Sequence, residues 1–109
     1  MTALALVAAL LAADVAPAER VVQVSAGRFS YSPDTIELKV GEPVIIELTS
    51  RDRAHGFSVP DLGVRADVEP GKTVRVRIVP MRAGTFAFHC DVFCGSGHEE
   101  MSGTLVVKP

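Results

Sequence analysis

The 109-residue sequence has no tryptophan, one tyrosine and two cysteines, and its charges nearly cancel, with 11 Lys and Arg against 13 Asp and Glu. Two cysteines are too few for a small scaffold held together by several disulfides. The lack of excess positive charge excludes a protein that binds nucleic acid through a basic surface. Because 48% of the residues are hydrophobic, intrinsic disorder is excluded as well, and the length is that of one small globular domain.

The first 18 residues lack polar character, since only three of them are not apolar. The run from Ala3 to Ala13 is too short for a bilayer, which needs about 20 residues, but it suits the core of a signal peptide. Small residues at Ala16-Pro17-Ala18 provide a cleavage site. We predict that residues 1–18 are a signal peptide, that residues 19–109 form the domain, and that the protein is exported to the periplasm or beyond. An N-terminal helix packed on the domain, or a short membrane anchor, is the alternative.

The remaining chain has the pattern of strands and turns. The alternation is clearest in Thr73–Val79, where Val74, Val76 and Ile78 face one way and the arginines the other. Similar runs rich in β-branched residues occur at 21–24, 36–40 and 44–48, with Gly and Pro turn signals between them. Since no window keeps a helical period, we predict an all-β fold, an antiparallel sandwich of about seven or eight strands.

Residue types that bind metals are concentrated near the C-terminus. Two thiols, an imidazole and a thioether lie within twelve residues, namely Cys90, Cys94, His98 and Met101. Such soft and borderline donors favour copper over magnesium or calcium. Alternation in the predicted strand 84–88 points Cys90 into the sandwich, and a final predicted strand at 103–107 holds the other end of the loop. A further donor, His55, lies at a strand edge, where a histidine with satisfied hydrogen bonds is the alternative to a ligand.

Three stretches together resemble the CuA-type cupredoxin domain of cytochrome c oxidase subunit II and nitrous oxide reductase. They are His55-Gly56-Phe57-Ser58-Val59-Pro60-Asp61-Leu62-Gly63-Val64, the turn Glu69-Pro70-Gly71, and Cys90-x-x-x-Cys94-x-x-x-His98-x-x-Met101. The resemblance covers residues 19–109 and implies a cupredoxin-like Greek-key sandwich. It implies two copper ions bridged by the thiolates of Cys90 and Cys94, with His55 on one ion and His98 on the other. It also implies that Met101 and the backbone carbonyl of Val92 are weak axial ligands.

The sequence departs from this family in two respects. The oxidase subunits use aromatic residues near the copper for electron entry, whereas this chain has no tryptophan, and it has no predicted transmembrane helix. We therefore predict a stand-alone, exported electron carrier, with a redox domain associated with an oxidase or reductase as the alternative. Catalysis by the chain itself is not expected, because filled coordination positions leave no place for a substrate. The predicted partner is a redox protein such as a c-type cytochrome, with no nucleic acid, no small-molecule substrate, and no membrane contact once the leader is removed.

Other interpretations of the same donors remain open. In an exported protein, Cys90 and Cys94 could form a disulfide. A copper chaperone could use the same two cysteines with His98 and Met101 as a transfer site. Two thiolates and two imidazoles also suit a structural zinc ion, although an axial methionine has no use there.

The residues around the donors have predicted roles too. His89 points away from Cys90 and is predicted to be a surface or supporting residue. The acidic residues form either a solvated rim or the face that meets a basic partner; they are Asp91, Glu99 and Glu100. The apolar surroundings that keep such a site dry are predicted to come from Phe57, Phe88 and Phe93.

Overall fold

The structure is a computed structural model and describes residues 19–109. The predicted signal peptide, residues 1–18, lies outside the described residues. The described chain has nine strands and two short 3-10 helices, at Pro60–Leu62 and His98–Glu100. The strands are β1 (Arg20–Gly27), β2 (Ser30–Ser32), β3 (Thr35–Lys39), β4 (Val44–Ser50), β5 (His55–Val59), β6 (Val64–Val68), β7 (Val74–Ile78), β8 (Gly84–His89) and β9 (Ser102–Lys108). Over this range, no helix is long and apolar enough to cross a membrane.

The strands form two sheets, with the orders β2-β1-β4-β7 and β3-β9-β8-β5-β6. The predicted all-β sandwich is therefore confirmed, and the strands expected from alternation are present. Antiparallel pairing holds for most neighbours but not for β1 with β4 or β3 with β9, which are parallel. Alternation along one strand is the same in both kinds of pair, so the sequence pattern could not distinguish them.

The core lies between the two sheets. In β4, the inward side chains of Val44, Ile46 and Leu48 are buried. In β7, Val74, Val76 and Ile78 face inward while the two arginines are exposed, as the alternation predicted. At one end of this core, Tyr31, Phe57 and Phe88 pack edge-on or tilted, with ring centroids 4.9–6.2 Å apart.

The predicted donors lie beyond this aromatic cluster. His55 begins β5, and the loop 90–101 connects β8 to β9. The base of the loop is closed by a backbone hydrogen bond in which the N–H of Cys90 donates to the carbonyl of Met101 at 3.1 Å. Sheet pairing on both sides of the loop thus fixes the positions of its first and last residues.

Candidate metal centre

Both cysteines are buried and free. Cys90 is 2% exposed and Cys94 0% exposed, and their Sγ atoms are 3.8 Å apart. A disulfide requires about 2.05 Å between the sulfurs, so the structure has two thiols rather than the disulfide that the sequence left open. Because a thiolate is the form that binds a metal, the pair offers two soft donors that face each other.

The backbone surrounds the Cys90 sulfur closely. The N–H of Gly56 donates to this sulfur at 3.3 Å, and the thiol lies 3.1 Å from the carbonyl oxygen of Val92, which accepts from it. The carbonyl that the resemblance implied as an axial ligand thus contacts the Cys90 sulfur. In this arrangement the sulfur has a donor on one side and an oxygen on the other, and both are fixed by the main chain.

His55 is fully buried, at 0% exposure. Its Nε2 lies 2.6 Å from Oδ1 of Asp52, while its Nδ1 is buried without a hydrogen-bond partner in the described chain. The backbone N–H of Arg28, opposed in part by burial and aided by the His55 ring, holds the pKa of Asp52 well below its usual range. As an ionised carboxylate only accepts hydrogen bonds, Asp52 fixes the ring proton on Nε2 and leaves a lone pair on Nδ1.

This buried lone pair fits a metal ligand. An unsatisfied buried polar atom costs about 1–3 kcal/mol, and a histidine that binds a metal commonly donates its other N–H to a carboxylate. The donor atoms of His55, Cys90 and Cys94 all lie within 4.8 Å of one another. The chemistry of this donor set, two thiols and an oriented imidazole, fits copper.

The other predicted ligands lie around Cys94. Its Sγ is 3.9 Å from Nδ1 of His98 and 3.9 Å from the sulfur of Met101. Met101 is fully buried, whereas His98, on the second 3-10 helix, is partly exposed. All the residues that the sequence singled out as ligands are thus brought to one place, with His55 within 4.8 Å of both sulfurs and with His98 and Met101 next to Cys94.

Protonation of Cys94 is favoured in the absence of a cation. Burial, followed by the hydrogen bond with Cys90, raises the pKa of Cys94 to about 11. A metal ion that binds here at neutral pH therefore displaces a proton from this thiol.

The aromatic surroundings differ in part from the prediction. Phe57 and Phe88 are fully buried, but Phe93 is 75% exposed, so its predicted place in the dry surroundings is wrong. The third ring of their cluster is the buried Tyr31, whose hydroxyl donates to the carbonyl of Gly56 at 2.6 Å. Tyr31 follows the first strand in a short β2 with no motif around it, and sequence reasoning missed it.

The charged residues divide into two groups. Glu99 and Glu100 are exposed, as predicted for a solvated rim, and so is His89. Asp91 instead accepts two hydrogen bonds from Arg65 of β6. Sequence reasoning also missed that Asp52 binds the ring of His55. The only sequence feature that could have indicated this contact is that the two residues lie three positions apart.

Comparisons with known proteins identify the family of this chain. The profile of the cupredoxin-like domain family matches residues 1–107. Cytochrome c oxidase subunit 2 of Thermus thermophilus is 38% identical over 92 residues, which cover 84% of this chain and 68% of that protein. A second subunit 2 sequence from the same species is also 38% identical, and the match covers 55% of it. This chain therefore spans only part of these relatives.

Solved structures show the same fold. The periplasmic domain of subunit II of cytochrome oxidase from Bradyrhizobium japonicum has a TM-score of 0.77 at 18% identity, with 86% of this chain and 87% of that one covered. A copper-binding protein solved by NMR in its apo form has a TM-score of 0.69 at 28% identity, with 87% and 93% covered. The chain belongs to the cupredoxin-like domain family and is homologous to the periplasmic CuA domain of cytochrome c oxidase subunit II.

Proposed function

We propose that this chain is an exported electron-transfer domain with a dinuclear, CuA-type copper centre. In this proposal the thiolates of Cys90 and Cys94 bridge two copper ions, and His55 and His98 each bind one of them. The observation that carries the proposal is the pair of free, buried thiols 3.8 Å apart, next to a buried imidazole nitrogen without a hydrogen-bond partner among residues 19–109.

Two weaker donors complete the proposed set. Met101 is fully buried with its sulfur 3.9 Å from Cys94, and the Val92 carbonyl lies 3.1 Å from the Cys90 sulfur. We assign both as axial ligands, because a thioether and an amide carbonyl bind copper more weakly than thiolate or imidazole. When bound, the two bridged copper ions share one unpaired electron, so that gain or loss of an electron changes each bond little.

The chain's own residues hold the donors in place and keep water out. Asp52 fixes the His55 ring, and the Gly56 N–H and the closed base of the loop position Cys90. Buried Phe57 and Phe88 form the apolar floor. Because this donor set fills the positions around both ions, no open position is left for a substrate, and electron transfer fits better than catalysis.

The proposed route for electrons passes through His98. It is the partly exposed imidazole of the two, and the exposed ring of Phe93 lies 5.7 Å from it. Glu99 and Glu100 are exposed beside it. An apolar patch with an acidic border favours a partner with a basic border around its own redox group, such as a c-type cytochrome.

The proposed location is the periplasm, reached with the aid of residues 1–18 as a signal peptide. The sequence of that segment supports the proposal through its apolar run and small residues. Mass spectrometry of the secreted protein tests it, because cleavage after Ala18 predicts a chain that begins at Glu19. Recovery of the intact N-terminus from the periplasm would contradict the division at residue 18.

Copper titration tests the proposed centre. The reduced protein is mixed with equal amounts of Cu(I) and Cu(II), and the bound copper, the visible absorption and the electron spin resonance spectrum are recorded. Two copper ions per chain and a hyperfine pattern from one electron shared by both nuclei support the proposal. A tight complex with one copper ion and no spin signal would overturn it, and the same titration with zinc measures the competing structural site.

Copper delivery is the second candidate function. It is favoured by the likeness to a copper-binding protein solved without its metal, and it uses the same Cys90, Cys94, His98 and Met101. A delivery protein binds one Cu(I) ion and transfers it to an acceptor, whereas a carrier retains its copper through repeated oxidation and reduction. Transfer to a chelator of known affinity, measured alongside redox cycling, separates the two functions.

A further inference from the structure

The ligand loop is attached to the sheet by an ion pair where backbone pairing ends. β5 pairs with β8 where Ser58 faces His89, and the chain then leaves the sheet through Cys90. One residue farther on, Asp91 reaches across to β6. Its carboxylate accepts hydrogen bonds from Nε of Arg65 at 2.5 Å and from the terminal nitrogen of the same guanidinium at 3.1 Å. This bidentate geometry fixes direction as well as distance.

Gly56 lies directly beneath the Asp91 carboxylate. A Cβ at this position would lie 1.9 Å from Oδ1 of Asp91, so only glycine leaves room for the ion pair in this position. The N–H of Gly56 donates to the Cys90 sulfur at 3.3 Å, and its carbonyl accepts from the Tyr31 hydroxyl at 2.6 Å. The same glycine thus contacts the ion pair, a thiol and the aromatic floor.

We propose that Arg65 and Asp91 are positioning residues that hold Cys90 against the N–H of Gly56 and so tune the electron affinity of the centre. This inference rests on the proposed copper-binding function. The ion pair presses the first turn of the loop onto Gly56, and the length of the N–H···S hydrogen bond follows from that contact. Hydrogen bonds to a ligating sulfur and the charges around it are among the factors that set a copper site's potential.

The two residues act on the centre with opposite charge. Replacing Arg65 by glutamine leaves the Asp91 carboxylate uncompensated next to the Cys90 sulfur, which favours the oxidised, more positive centre and lowers the potential. Replacing Asp91 by asparagine leaves Arg65 with Asp67, its other partner at 2.8 Å, and raises the potential. Loss of fold stability alone would not move the potential in opposite directions.

The sequence offers a matched control. Arg77 binds Glu19 through the same bidentate geometry, with distances of 2.8–3.1 Å, on the first sheet rather than beside the cysteines. Arg77→Gln therefore removes an equivalent exposed ion pair without contact with the ligand loop. Arg65→Lys is the conservative variant, because it keeps the charge and loses the bidentate geometry.

The experiment compares Arg65→Gln, Asp91→Asn, their double variant and Arg77→Gln. We expect about tenfold faster loss of copper to a chelator in each single variant of the Arg65–Asp91 pair, no further gain in the double variant, and no change in Arg77→Gln. The potential falls in Arg65→Gln, rises in Asp91→Asn, and lies nearer the original value in Arg65→Lys than in Arg65→Gln. Equal behaviour of Arg65→Gln and Arg77→Gln would overturn the inference.

A measurement without copper separates this inference from the proposed function. Hydrogen exchange of the Gly56 amide in the reduced, copper-free protein should be about tenfold faster in Arg65→Gln than in Arg77→Gln, because the ion pair holds this N–H against the sulfur. If the native chain binds one copper ion but Gly56 exchange still responds to Arg65, the dinuclear proposal fails and the positioning role stands. Unchanged exchange in Arg65→Gln overturns the positioning role whatever the copper content.

Discussion

The two histidines of the candidate centre have opposite surroundings. His55 begins a strand, is fully buried, and has its ring fixed by the carboxylate of Asp52 at 2.6 Å. His98 lies on a single 3-10 turn, is partly exposed, and has the ring of Phe93 beside it at 5.7 Å. We refer to His55, Asp52 and Cys90 as the fixed side of the site, and to His98, Cys94 and Met101 as the loop side.

The difference shows how one small domain combines rigidity with access. Donors on the fixed side are positioned by the sheet itself, so their geometry exists before a metal binds and costs little to maintain on a change of oxidation state. On the loop side Cys94 and Met101 are also buried, but His98 reaches the surface, where an electron can leave without crossing the core. Variants that act on one side only should therefore affect different properties.

The largest effect is expected for Cys94→Ser. This variant removes the sulfur that lies 3.8 Å from the Cys90 sulfur and 3.9 Å from both His98 and Met101. A hydroxyl is a poor bridging donor for copper, so the variant should bind one copper ion instead of two and keep its fold. Copper analysis and electron spin resonance measure this. A spectrum with the electron still shared by two nuclei would refute the assignment of Cys94 as a bridge.

Replacing each histidine by alanine should change the free energy of unfolding by different amounts. His55→Ala opens a cavity in the core and should lower the free energy of unfolding of the copper-free protein by about 2–3 kcal/mol. His98→Ala should change it by no more than about 0.5 kcal/mol, since the side chain is partly exposed. Denaturant unfolding of both variants measures the difference, and equal losses would contradict the division into two sides.

A smaller effect is expected for Asp52→Ala, which removes the acceptor for the Nε2 proton of His55. The ring is then free to rotate and to carry its proton on Nδ1, so copper affinity should fall by about tenfold to a hundredfold. Competition with a chelator measures the affinity. Glu99→Ala is the control for loss of one exposed carboxylate on the loop side, and it should leave the affinity unchanged.

Copper affinity should rise with pH, because Cys94 must lose a proton to bind. The pKa of its thiol is about 11, so the thiol is protonated at neutral pH. Because binding releases this one proton, the affinity for Cu(I) should increase by about tenfold for each pH unit between neutral pH and the pKa. The copper-free protein should show the opposite trend. The thiol ionises near its ordinary value of 9.0 in the unfolded chain but near 11 in the folded one, so stability should fall between these two values. Affinity that does not vary with pH would contradict this.

Phe93→Ala should have the smallest effect on the copper site itself, and it should slow only the exchange of electrons with a partner. The ring is 75% exposed, so stability, copper content and potential should stay unchanged. Electron exchange with a c-type cytochrome should slow by about tenfold, because an exposed aromatic side chain contributes about 1–2 kcal/mol to such a contact. Stopped-flow mixing measures the rate, and Met81→Ala, another highly exposed apolar side chain, is the control.

The sequence predicted what depends on pattern along the chain. Alternation located the strands, and the spacing of the donors from Cys90 to Met101 located the loop. It did not predict contacts that depend on how distant segments meet. Tyr31 reaches Gly56 across 25 residues and Arg65 reaches Asp91 across 26, and nothing near any of these residues marks the pairing. Phe93 was expected inside because it is apolar, but its place in the loop turns it toward solvent.

Parallel pairing of β3 with β9 has a consequence for folding. The last strand completes the second sheet next to a strand almost seventy residues earlier. The residue just before it, Met101, closes the base of the loop through its carbonyl. Contacts between such distant parts of a chain form late and slowly. The donors are therefore assembled only when nearly the whole chain has folded, so that a partly folded chain offers copper exposed thiols and no defined site.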